Sequence, residues 1–369
     1  MRIEAVELIR AALPFKQEFR SALGAQRRRD VLLVHVITDA ADGWGECAAM
    51  SRPVYTSEYV DGAQAVLRDH LVPLALADSS VDAQSLERRL SEVRGHRMAR
   101  AALEMAALDA ELRTEGVSLA AFLGGERDEI PCGAVLGVAD TIDALLDDVE
   151  QRLREGYRRI KLKILPGWDL EPVAAVRGRF GAAAVLWLDA NGAYALEDAP
   201  RLATLAEHDV ALIEEPLGGR SLLAHAELAR VITTPVCLDE SIESAHEAAD
   251  ALTLGACSIV NVKPGRVGGL LEARRVHEVC LRRGASAWCG GMFETGIGRA
   301  ANLALASLPG FTLAADISPS GRYFDLDLTM PPTVMQEGMI RVPDAPGLGV
   351  TVDRAAIDTV AVDAVLIRG

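Results

Sequence analysis

Seven short apolar runs recur along the middle of the chain, each ending in polar or glycine residues and followed by a helix-like segment. They are RIKLKI, AVLWLDANG, VALIEEPL, TPVCLDES, CSIVNVKPG, ASAWCGGM and FTLAADIS. Measured between the run ends, Lys163 to Asp189 is 26 positions, Asp189 to Glu214 is 25, Glu214 to Asp239 is 25 and Asp239 to Lys263 is 24. The next two steps, Lys263 to Gly290 and Gly290 to Asp316, are 27 and 26. A step near 25 with no shared motif is the length of a βα unit. YALEDAPRLATLAEH and GGLLEARRVHEVCLRRG carry the apolar spacing of crossover helices. With a first strand over 130–137 the runs make eight strands, and the spacing predicts a (β/α) barrel.

The run RRIKLKIL poses the functional question. Side chains two apart in a strand share a side, so Lys161 and Lys163 face away from Ile160, Leu162 and Ile164. A solvated face would explain one such strand. The neighbouring runs end in Asp189, Glu214, Asp239 and Lys263, at the barrel end where such folds build active sites. Charges there are costly unless paired, so the lysines are expected to face partners inside the barrel.

The flanks have another texture. VELIRAALPF, DVLLVHVITDA and GWGECAA read as an antiparallel meander, and SEYVDGAQAVLRDHL, DAQSLERRLSEV and RMARAALEMAALDAELR read as three helices. After about Ser320 the chain turns to loops and short strands. We expect an α+β capping domain starting in 1–125, the catalytic barrel over 126–319, and a segment, 320–369, that returns to the cap.

The formal charge of −15 argues against binding nucleic acid or anionic lipid. Six cysteines, at 47, 132, 237, 257, 280 and 289, show no CxxC pair and read as reduced core residues of a cytoplasmic protein. Neither an apolar leader nor a membrane-length apolar run is present in this sequence. GxGxxG, P-loop, HExxH and GxSxG signatures are also absent.

Three carboxylates on adjacent strands repel one another unless a cation joins them. With no His or Cys nearby, the oxygen ligands Asp189, Glu214 and Asp239 point to Mg2+, with Mn2+ possible. Alternation does not decide between Glu214 and Glu215, or between Asp239 and Glu240; the other member of each pair could support the ligand. Such a metal can hold a substrate carboxylate and stabilise the enediolate left when the α-proton departs. Lys163 and Lys263, on the second and sixth strands, would approach the α-carbon from opposite faces, a geometry suited to proton abstraction.

KLK at 161–163, DAN at 189–191, EEP at 214–216, DES at 239–241 and VKPGRVGG at 262–269 resemble the muconate-lactonizing subgroup of the enolase superfamily. WCGGMFETGIGRAANLALASLPGFTL, SEY and GHRMARAALEMAALDAEL are similar more narrowly to o-succinylbenzoate synthases that also act as N-succinylamino acid racemases. The resemblance covers nearly the whole chain and implies a modified (β/α)7β-like barrel. It makes Asp189, Glu214 and Asp239 the metal ligands. Lys163 becomes the base for a dehydration in menaquinone biosynthesis, alternating with Lys263 in racemisation, and Lys161 an electrostatic helper. Phe19, Met50 and Tyr55 match the cap loops that close over substrate, and Asn191 belongs to the DAN motif. Gly291, Met292 and Phe293 match the substrate-facing turn after the seventh strand. Taken alone, these apolar or small residues would read as core. Arg266 resembles the racemase-competent branch, where a cation beside Lys263 would favour its neutral form. A small carboxylate substrate and a homo-oligomer are implied.

Two departures matter. AADIS has Asp316 and Ser318 only, without the Asp-x-Asp pair of dipeptide epimerases. Val135 stands where racemase-type relatives often carry a hydroxyl. Another N-acylamino acid racemase, a dipeptide epimerase or a muconate-type cycloisomerase is the alternative, and a binding-only degenerate barrel would be expected to lack one of these ligands or lysines.

Overall fold

The computed structural model describes residues 1–77, 80 and 82–369. Seven parallel strands lie side by side in sequence order: Ala134–Leu136, Arg159–Lys163, Val185–Asp189, Val210–Glu214, Val236–Leu238, Ile259–Val262 and Ser286–Cys289. Parallel neighbours need crossovers, and helices such as Ile142–Arg154, Leu222–Val231 and Leu270–Arg283 supply them. Side chains of Thr141, Ser221 and Ser244 accept amide hydrogens at the first turns of three crossover helices, satisfying donors that helix geometry leaves free.

Two expected strands differ from the sequence reading. Over 130–137, Glu129–Pro131 pairs instead with Met339–Arg341, and only Ala134–Leu136 enters the barrel. Pro131 has no amide hydrogen to donate, and a Cβ on Gly133 would strike the Arg159 guanidinium, so regular pairing begins at Ala134. The eighth run, FTLAADIS, forms no ladder. Phe311 makes one bridge to Ala287 and Ala315 one to Cys132. The Asp316 amide donates to Cys289 O at 3.1 Å and the Gly133 amide to Ala315 O at 2.9 Å, so the segment touches both edge strands and closes the barrel.

The chain's two ends meet in an antiparallel sheet ordered Ala361–Arg368, Ile3–Ser21, Gly24–Thr38, Gly43–Cys47. The alanine-rich helix Arg97–Glu115 lies directly on it. A Cβ on Gly43 or Gly45 would strike the Ala106 and Ala102 carbonyls, so close approach requires glycine on the strand and small residues on the helix. Buried carboxylates tie cap to barrel: Glu46 accepts from the amides of Thr295 and Gly298 (3.0 Å each), and Glu104 from the Leu271 amide at 2.9 Å. All six cysteines are free and buried. Among the described residues no helix is long and apolar enough to cross a membrane.

Inside the barrel, Trp187, Leu212, Cys237, Ile259 and Trp288 pack into a small apolar floor against Leu313. The charged groups lie on this floor.

Candidate active site

Strand register assembles the site. Lys163 pairs with Asp189, Asp189 with Glu214, and Glu214 with Cys237, so three charged residues stand abreast on adjacent strands. Asp239 follows Cys237 by two positions. Lys161 Nζ reaches Glu214 Oε2 at 2.7 Å, Asp189 Oδ2 at 3.3 Å and Asp316 Oδ2 at 2.5 Å, and lies 4.6 Å from the Trp288 ring centre. Lys163 Nζ donates to Asp189 Oδ2 at 2.6 Å and Asn191 Oδ1 at 2.8 Å. Lys263 Nζ donates to Asp239 Oδ2 at 2.7 Å and the Tyr55 hydroxyl at 3.1 Å. The solvent explanation of the alternating lysines is therefore wrong: both meet carboxylates inside the barrel.

The same geometry separates the paired acids. Glu214 faces inward, taking Lys161 and the Asn261 amide at 2.7 Å. Glu215 turns to the next loop, accepting the Asp239 amide at 2.8 Å and the Ser241 amide and hydroxyl. Glu240 accepts from Asn191 Nδ2 at 2.9 Å, while its Oε2 is buried without a partner. Burial, reinforced by Asp189, pushes Glu214 up to about 7. Burial also lifts Glu215 to about 7. Asp189 and Asp239 feel the same burial, yet the cations on them hold both below the ordinary value.

Phe19, Met50, Tyr55, Asn191, Gly291, Met292 and Phe293 all line a cavity of about 70 Å3 with Lys161, Lys163, Asp189 and Lys263. Tyr55 is more than an apolar wall, because its hydroxyl donates to Asp239 Oδ1 at 2.9 Å. Arg266 is absent from the wall. It lies behind Asp239, ion-paired to it and donating to Ile242 O at 2.6 Å. Burial opposes the ammonium charge of Lys263, but Asp239 outweighs it and raises the lysine above its ordinary value. Gly290 is required by Lys263, whose Cε would lie 2.6 Å from an added Cβ.

As a metal site, the donor set is hard oxygen on three neighbouring strands, with buried Glu240 Oε2 and Asn261 Oδ1 unpartnered nearby. That chemistry fits Mg2+ or Mn2+. In this conformation the carboxylates turn to lysines, and among the described residues no three acidic, His or Cys groups form a ready cage.

Residues 144–356 match the enolase C-terminal domain-like family model, and 5–124 match the mandelate racemase / muconate lactonizing enzyme N-terminal domain. The chain belongs to the enolase superfamily. It is 56% identical over 350 residues to an N-succinylamino acid racemase from Amycolatopsis sp, covering 95% of each chain. It is 41% identical to an o-succinylbenzoate synthase from Bacillus subtilis, covering 96% of this chain and 95% of that one. A crystal structure of an enolase superfamily member from Listeria innocua superposes with TM-score 0.95 at 34% identity, covering 100% of this chain and 99% of the other.

This enolase superfamily enzyme carries site residues that the sequence reading passed over. Arg159 shares the parity of Lys161 and Lys163, which was the available signal. It pairs with Asp316 at 2.5 Å and lies 4.4 Å from the Trp187 ring centre. Asp316, at the end of the eighth run, is the counter-ion of Arg159 and Lys161.

Proposed function

We propose that this enzyme removes a proton α to a carboxylate, acting as an o-succinylbenzoate synthase with N-succinylamino acid racemase capability. The observation that carries the reading is the pair Lys163 and Lys263. They come from the second and sixth barrel strands, border one cavity, and each is hydrogen-bonded to a different acid of the Asp189, Glu214, Asp239 set. The names of the relatives supply the substrate class.

Asp189, Glu214 and Asp239 would hold Mg2+ beside the lysines that pair with them. When bound, the metal supplies positive charge that makes the proton beside the substrate carboxylate acidic. Lys163 takes that proton. In dehydration Lys163 returns it to the departing hydroxyl, so water leaves, while protonated Lys263 faces the anion. In racemisation one lysine removes the proton and the other delivers one to the opposite face. Lys161, fixed by Glu214, Asp189 and Asp316, remains a stationary cation. Tyr55 and Arg266 orient Asp239 and, through it, Lys263. Phe19, Met50 and Phe293 keep water from the anion. A dipeptide substrate is disfavoured because Asp316, engaged by Arg159 and Lys161, has no free charge for an ammonium group.

The test is proton NMR in D2O with Mg2+ and a panel of N-succinyl-L-amino acids. Loss of the α-proton signal with appearance of the D-isomer is expected. Absence of exchange across the panel would remove the racemase half of the proposal and leave dehydration of the menaquinone intermediate to be assayed.

A further inference from the structure

The two lysines that flank the cavity are held unequally. Among the described residues Lys263 Nζ has three polar partners: Asp239 Oδ2, the Tyr55 hydroxyl and, at 3.6 Å, Met292 Sδ. Lys163 Nζ has two hydrogen-bond partners, Asp189 Oδ2 and Asn191 Oδ1. Asp189 belongs to the proposed metal set, so Asn191 is the one partner of this amine outside it.

An asparagine side chain offers an oxygen that accepts and an NH2 group that donates, at two ends of nearly the same shape. An ammonium group only donates, so Oδ1 holds Lys163 and Nδ2 in its place would repel it. The main chain of Asn191 does not choose between the two. It lies at φ 43°, in the left-handed region that asparagine tolerates, and its amide donates to Asp189 Oδ1 at 3.1 Å, which leaves the side-chain amide free to turn. The choice is made on the far side, where Nδ2 donates to Glu240 Oε1 at 2.9 Å. Glu240 is 6% exposed, and its side chain has no other hydrogen bond among the described residues. A buried carboxyl with a single bond is a poor source of stability, so what Glu240 contributes is the orientation of Asn191.

We propose that Glu240 is a positioning residue for the base: it fixes Asn191 with Oδ1 towards Lys163 and so sets the amine on one face of the substrate only. Glu240 shares no hydrogen bond with Lys263 or with the partners of Lys263. The inference rests on the proposed function, which makes Lys163 the base, and adds what aims it.

The test exploits the two faces. Each lysine takes the α-proton of one enantiomer, so initial rates of α-proton exchange in D2O, measured with the L- and the D-form of one N-succinylamino acid, report on the two amines separately. The enantiomer that stops exchanging in Lys163→Ala is the one Lys163 serves. Glu240→Ala should slow exchange of that enantiomer by about 10- to 100-fold, the cost of a misplaced catalytic group, with little change in KM and a much smaller effect on the other enantiomer. Glu240→Gln, which keeps an oxygen for Asn191 Nδ2, should recover most of the loss. Equal slowing of both enantiomers, or a Gln variant as slow as the Ala variant, would overturn the proposal. If Glu240→Ala does not fold, Glu240→Asp, which keeps the carboxyl but is one methylene too short to reach Asn191, takes its place with the same one-sided loss expected. If the wild-type enzyme exchanges neither enantiomer, the function proposed above fails, and crystal structures of the wild type and the Asp variant decide this inference: Asn191 Oδ1 should leave Lys163 Nζ in the variant, and an unchanged contact would overturn it.

Discussion

Lys161 Nζ lies 2.5 Å from Asp316 Oδ2, joining the second barrel strand to the segment that closes the barrel. Arg159 holds the other oxygen of Asp316 at the same distance. Burial works against the carboxylate charge, but Arg159 and Lys161 bring Asp316 down to about 2. Asp316→Asn would leave two buried cations short of charge, and about 3–5 kcal/mol of stability should be lost in urea unfolding. A loss below about 1 kcal/mol would show that the bridge does not hold the closing segment.

Gly290 gives Lys263 its path into the cavity. In Gly290→Ala the new methyl would press on Lys263 Cε and on the Asn261 side chain. Displacing a catalytic amine by a fraction of an ångström should lower kcat by about 10- to 100-fold with a smaller change in KM. Unchanged kcat in a folded variant would mean that the lysine's placement is not critical.

The buried acids joining cap to barrel make stability depend on pH. Burial pushes Glu104 up to about 8, and burial with Glu294 nearby pushes Glu46 up to about 7, against an ordinary 4.5. Between those values the folded chain keeps protons that the unfolded chain has released. Their contribution is therefore full below pH 4.5 and declines as pH rises towards 8. Tm should fall between pH 6 and pH 9, and Glu104→Gln, which keeps an acceptor for Leu271, should reduce that fall. An equal or steeper fall in the variant would contradict the assignment.

Metal binding can be read without turnover. A cation held by the folded chain alone raises Tm with its concentration. Mg2+ should do so for the wild-type enzyme, and Asp189→Asn should lose most of the rise. Chelation should stop activity and added Mg2+ restore it. An identical Tm response in the Asn variant would remove Asp189 from the ligand set.

What could be read from sequence follows the range of the forces involved. The barrel was legible because each βα unit is local and its step near 25 residues is set by strand, helix and turn lengths. Lys161 and Lys163 were legible because parity within a strand is local too. Glu214 against Glu215 was not, since adjacent acids differ only in which neighbour they meet, and the inter-strand register with Asp189 and Cys237 decides it. Arg159 was overlooked at a strand start, and its partner Asp316 lies 157 positions away. Tyr55 was placed at the site only through the family resemblance, because residue type alone takes no account of a hydroxyl placed on Asp239. Splitting of the first strand turned on Pro131 and on the room Gly133 leaves for a guanidinium from the next strand.

The central claim is that Lys163 is the base. The most direct measurement is turnover by Lys163→Ala, alongside circular dichroism and Tm, with a dehydration substrate and with N-succinylamino acids. We expect native spectra and a Tm within a few degrees of wild type, with both activities reduced at least about 10^3-fold. Full activity in that folded variant would contradict the mechanism.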